Sequence, residues 1–141
     1  MEQNKYYTPE IYELFVGYEC EVVNMENYKT EYQLTLPYKI KLTGIIDNQI
    51  WFKTDKSVFE LENINQIRIP YLTQEDIESE GWKMVWGEAQ CLTFSINNII
   101  LTKFNNSCSI LIDYSKERRL FDGECKSINE LRTIQKLLKI K

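Results

Sequence analysis

Eighteen aromatic side chains stand against a single alanine, Ala89, in a chain of 141 residues. Alanine is the strongest helix former, whereas large rings fit a pleated, half-buried surface, so this imbalance favours extended structure over a helical bundle. Ile, Leu, Val and Phe add 41 strong core formers, enough for a real hydrophobic interior. At 16.9 kDa, with no Pro/Gly/Ser-rich linker, low-complexity tract or internal repeat, the economical expectation is one domain over 1–141.

Period-two alternation locates the strands. Val16, Tyr18, Cys20 and Val22 alternate within Phe15 to Val23, and Asn24 to Gln33 reads as a polar loop. Tyr38, Ile40 and Leu42 alternate with Lys39, Lys41 and Thr43, with Gly44, Asp47 and Asn48 as turn formers before a strand at Gln49 to Lys53. Val58 to Leu61 and Ile64 to Ile69 follow, the second closed by Pro70. In the second half, Leu92 to Ile96, Ile99 to Phe104, Cys108 to Tyr114 and Arg119 to Cys125 form four extended runs. Short polar turns separate them, which implies antiparallel neighbours.

Two helices interrupt this habit. Thr73 with Asp76 three positions on makes a capping box for a short helix over Gln74 to Glu80, ended by Gly81. Ser127 as N-cap, Glu130 in the first turn, and Ile128, Leu131, Ile134, Leu137 and Leu138 at spacings of three and four predict a C-terminal helix with one buried face. The expected fold is therefore α+β: a mainly antiparallel curved sheet or partly open barrel, one short central helix, and a C-terminal helix packed on the sheet.

The chain has no histidine, which removes Ser-His-Asp and Cys-His nucleophile pairs, His-based metal sites and an imidazole switch. Cys20, Cys91, Cys108 and Cys125 lie 71, 17 and 17 positions apart, so no Cys-x-x-Cys pair exists. Buried structural thiols are the expectation, although three neighbouring strands could bring Cys91, Cys108 and Cys125 together. Glu75, Asp76, Glu78 and Glu80 lack the glycine-centred loop of an EF-hand and read as a solvated helix start. Gly17, Gly44, Gly81, Gly87 and Gly123 are isolated, so there is no phosphate-cradling loop, and no cofactor or metal site is expected.

Met1 to Glu10 contain no apolar run of signal-peptide length, and the longest uncharged stretch, Ala89 to Thr102, is too short and polar to span a bilayer. The expected location is the cytoplasm, with association with a virion left open. No membrane partner is expected.

Three groups of residues carry the partner expectations. Seven of nine tyrosines fall in the first 38 residues; Tyr6, Tyr7 and Tyr12 could dock another protein or a second copy, while the plainer reading sets such rings on the rim of a sheet. Trp82 and Trp86, like Trp51 beside Phe52, could offer flat faces to a partner, a sugar or a base, or could anchor the core. The net charge of −4 conceals a skew: residues 1–70 carry 11 acids and 7 bases, residues 71–100 carry 5 and 1, and residues 101–141 carry 5 and 9. Lys116, Arg118, Arg119, Arg132, Lys136 and Lys139, with Lys126 and Lys141, could meet phosphates, or simply form a solvated face on which the last lysines complement the helix dipole.

Tyr7-Thr8-Pro9-Glu10-Ile11 leading into Val16-Gly17-Tyr18-Glu19, Tyr71 to Glu78 with Gly81-Trp82, and Phe121-Asp122-Gly123 followed by Ser127 to Leu131 resemble a group of small proteins of phages and prophages of gut bacteria. The resemblance implies an origin. It carries over no activity or functional residue, because the group has none assigned. The leading expectation is a non-enzymatic accessory protein that engages another protein or itself. A nucleic-acid-associated protein using the basic C-terminal end is the alternative, and a small histidine-independent enzyme using carboxylates, Lys or Tyr is the third.

Overall fold

In the computed structural model the chain divides into two units, Met1–Tyr71 and Leu72–Lys141, each with its own antiparallel sheet and its own core. The described residues are 5–23, 37–46, 49–53, 58–61, 63–105, 107–115 and 118–140. The loop expected at Asn24 to Gln33 and the turn residues Asp47 and Asn48 lie outside them, as do Lys116 and Lys141. The α+β expectation holds: two antiparallel sheets accompany one short mid-chain helix and one C-terminal helix.

The first unit holds β1 (Tyr6–Tyr7), β2 (Glu19–Val22), β3 (Tyr38–Ile46), β4 (Gln49–Lys53), β5 (Val58–Leu61) and β6 (Ile67–Pro70) in the order β1-β6-β2-β3-β4-β5. Alternation fixes which face is buried: Ile50 and Phe52 on β4, Phe59 and Leu61 on β5, and Ile67 and Ile69 on β6 all enter one core with Tyr18, Cys20 and Val22. Phe52 pairs with Phe59 in register, which stacks their rings at 5.1 Å.

Three sequence expectations are corrected here. Gly17 takes a φ of +93°, a left-handed conformation open to glycine. It turns the chain at Phe15 to Tyr18, where the Tyr18 N–H donates to the Phe15 carbonyl, so the strand starts at Glu19 and Val16 stays exposed. Gly44 lies inside β3, at a bulge where the pairing shifts between Leu42 and Gly44, and does not end the strand. Ile64 to Gln66 form a 3-10 turn capped by the Asn63 side chain, leaving only Ile67–Pro70 extended.

The second unit begins with α1 (Gln74–Ser79), whose capping box is reciprocal: the Asp76 N–H donates to Thr73 Oγ1 and the Thr73 N–H donates to the Asp76 carboxylate. Next come β7 (Lys83–Gly87), β8 (Cys91–Ile96), β9 (Ile99–Phe104), β10 (Ser109–Tyr114) and β11 (Arg118–Glu124), arranged in chain order as a meander with β7 and β11 at its edges. The chain closes on α2 (Ile128–Leu137), and its Leu131 and Ile134 share one core with Phe94, Leu101, Ile110, Ile112 and Trp82. Ser127 stands at the N-cap position without making a capping bond; the Glu130 carboxylate reaches past it to accept the Lys126 N–H. Among the described residues, no helix is long and apolar enough to cross a membrane.

Candidate interaction surfaces

Tyr6 and Tyr7 share β1, antiparallel to β6, and both are half-buried. The Arg68 guanidinium sits 3.6 Å over the Tyr6 ring while pairing at 2.8 Å with Glu21, a carboxylate that is 7% exposed. Tyr7 packs against Tyr71 at 4.9 Å, and its hydroxyl lies 3.5 Å from that of Tyr18. Both rings are thus built into the first unit. Tyr12 differs: in the 3-10 turn Ile11–Glu13 it is 81% exposed, with Phe15 and Val16 exposed close by in the chain. Phe15 and Val16 escape the sequence reading because alternation assigns them to a strand; the signal against that was the glycine at 17.

The two second-unit tryptophans have opposite surroundings. Trp82 is 2% exposed and its indole N–H donates to Gln135 Oε1 at 2.7 Å, tying the segment after α1 to α2. Trp86 is 48% exposed on β7, where Met84 and Val85 are exposed too, and all five strand residues face solvent. Among the described residues β7 pairs with β8 alone, and a bulge between Met84 and Trp86 leaves Val85 as the extra residue.

The basic residues are distributed over β11, α2 and the chain just beyond it. Arg119 on β11 meets Asp113 at 2.7 Å and Asp122 at 3.7 Å, and Arg132 on α2 meets Glu80 at 3.2 Å. Arg118 opens β11, Lys136 lies in the last turn of α2, and Lys139 follows with a φ of +59°. The central carboxylates are similarly engaged: Asp76 in the capping box, Glu78 with the Gln74 amide, and Glu80 with Arg132 and Gln135.

Cys20 and Cys125 are buried. Burial, helped by the neighbouring Glu21, pushes the Cys20 thiol up to about 12, and burial followed by Glu130 and Cys108 raises Cys125 as well. Cys125 donates its backbone N–H to the Cys108 carbonyl at 2.7 Å, which sets those two side by side at the end of the β10/β11 ladder. Among the described residues, no group of three or more Cys, Asp or Glu side chains is placed to hold a metal ion. Compared with family models, curated proteins and solved structures, the chain matches none.

Proposed function

We propose that this chain is a non-enzymatic accessory protein of phage or prophage origin whose work is to bind protein. The observation that carries the reading is the edge strand β7, where Met84, Val85 and Trp86 are exposed on a strand paired along one side. Soluble domains blunt such edges with charge or cover, and an exposed apolar edge is a ready partner for another chain. In the first unit Tyr12, Phe15 and Val16 are exposed apolar side chains close together in the chain, outside any strand. The nucleic-acid reading draws less support, because Arg119 and Arg132 are held by acidic neighbours. The three sequence patches and the Ile, Asn, Lys and Tyr content support the origin.

Native mass spectrometry of untagged protein, gently purified from its source cells, tests the reading. The expected result is a complex heavier than the 16.9 kDa chain that is lost in a V85K variant. A bare monomer from wild-type cells overturns it.

The same proposal extends to the shape of the first sheet, which we infer to be a partly open barrel. β5 and β6 stand four strand spacings apart in the order β6-β2-β3-β4-β5, about 19 Å if the sheet were flat. The chain between Leu61 and Ile67 includes the 3-10 turn Ile64–Gln66, which shortens its reach to about 16 Å. Curling the sheet brings the two strands within that reach.

A further inference from the structure

We propose that β7 is a self-pairing edge, joining a second copy of this chain antiparallel to itself about a twofold axis. The proposal rests on the protein-binding reading above and names its partner.

The hydrogen-bond phase of β7 leaves groups to offer. The Glu88 N–H donates to the Cys91 carbonyl at 2.9 Å, so the residue pair at 88 faces β8 and the next one, Gly87, turns its N–H and C=O to the open side. The bulge at Val85 adds one residue, so Met84 also faces the open side, and the register places Met84 opposite Phe94 and Gly87 opposite Leu92 on one face of the sheet. Two copies related by a twofold axis can then exchange backbone bonds between Met84 of one and Gly87 of the other, twice. A glycine at that point lets the second backbone approach closely.

Charge sets the direction. In this alignment the next pair outward sets Lys83 against Glu88 of the partner subunit, again twice, and both residues are exposed. Opposite charges directly across an antiparallel pair stabilise it, so the strand is complementary to its own reverse. The other edge of the sheet, β11, lacks this property: Arg118, Arg119, Asp122 and Glu124 stud it with charge, and Arg119 is already committed to Asp113 and Asp122. One strand pair buries less than the roughly 800 Å² per partner of a standard interface, so the dimer is a weak one that depends on concentration.

Sedimentation equilibrium of the purified full chain over a wide concentration range tests the proposal. The expected result is a monomer-dimer equilibrium approaching twice 16.9 kDa. K83E, which sets glutamate against glutamate, should weaken dimerisation about tenfold, V85K should abolish it, and the charge swap K83E/E88K should restore it. Circular dichroism of each variant checks that it is folded. A wild-type monomer at every concentration, a dimer indifferent to K83E, or a swap that fails to rescue a folded K83E chain overturns self-pairing. If the purified chain stays monomeric while source cells yield a V85K-sensitive complex of some other mass, self-pairing fails and the protein-binding reading stands.

Discussion

Arg68 closes on Glu21 at 2.8 Å across the β2/β6 pair, and the two residues are also backbone partners in register. The carboxylate is almost fully covered, and the guanidinium that pairs with it is itself held over the Tyr6 ring. Replacing Arg68 by methionine keeps most of the packing and strands the carboxylate. We expect a loss of about 3 kcal/mol, read by urea denaturation, with R68M/E21Q recovering part of it. An unchanged midpoint for R68M would show the pair to be energetically idle.

Trp82 and Gln135 make a second such dependence. Removing the acceptor in Q135A leaves the indole N–H buried without its partner, and about 1–3 kcal/mol should be lost. W82F, which deletes donor and ring area together, should cost more, through the core it shares with Phe94 and Leu131. Equal stability of Q135A and wild type would mean that water replaces the glutamine at no cost.

The two helix starts should respond differently to alanine. Thr73 accepts the Asp76 N–H at 3.1 Å, so T73A should destabilise by about 1 kcal/mol. Ser127 also precedes a helix, but its buried Oγ has no hydrogen-bond partner among the described residues. S127A removes that unpaired hydroxyl and should be neutral or stabilising. Thermal melts of the two variants side by side decide the point, and a loss in S127A as large as in T73A would refute it.

The buried thiols set a limit on alkaline stability. Cys20 is held protonated by burial up to about 12, against an ordinary value of 9.0. The native state therefore keeps a proton that the unfolded state gives up, and this contribution is fully present below pH 9 and lost as pH rises toward 12. C20S should flatten the stability profile over that window in denaturant titrations. At pH 8, a thiol-specific reagent should label native Cys91 and Cys108 well before Cys20 and Cys125, because the last two are buried.

Features set by near neighbours in sequence were legible in it. β4, β5 and β9 begin and end where alternation and turn residues place them, and the Thr73 to Asp76 box marks the first helix. What escaped was decided at long range. Trp86 could equally face a partner or anchor the core, because composition does not distinguish an edge strand from a central one; the strand order exposes it, with Met84 and Val85 beside it. Gly44 looks like a turn former, yet a Cβ there would sit 3.7 Å from Trp51, and the strand continues past it through a bulge. For Tyr6 and Tyr7 the sequence leaves docking residues and half-buried rings on the rim of a sheet side by side, because nothing near them in sequence announces Arg68 or Tyr71.

The pairing of β2 with β6 has a consequence for how the protein is made. Glu21 and Arg68 are 47 residues apart, so the first sheet lacks β6, the strand that joins β1 to β2, until almost its whole length has left the ribosome. The strands of the second sheet join their immediate predecessors, and each hairpin can close soon after it emerges. During synthesis the earlier half therefore waits for β6 to arrive, with β2 able to pair along its β3 side while the side that takes β6 stays open. Slow stretches of translation would be best tolerated after Pro70, and a pause just before Ile67 is where a growing chain would be most prone to aggregate.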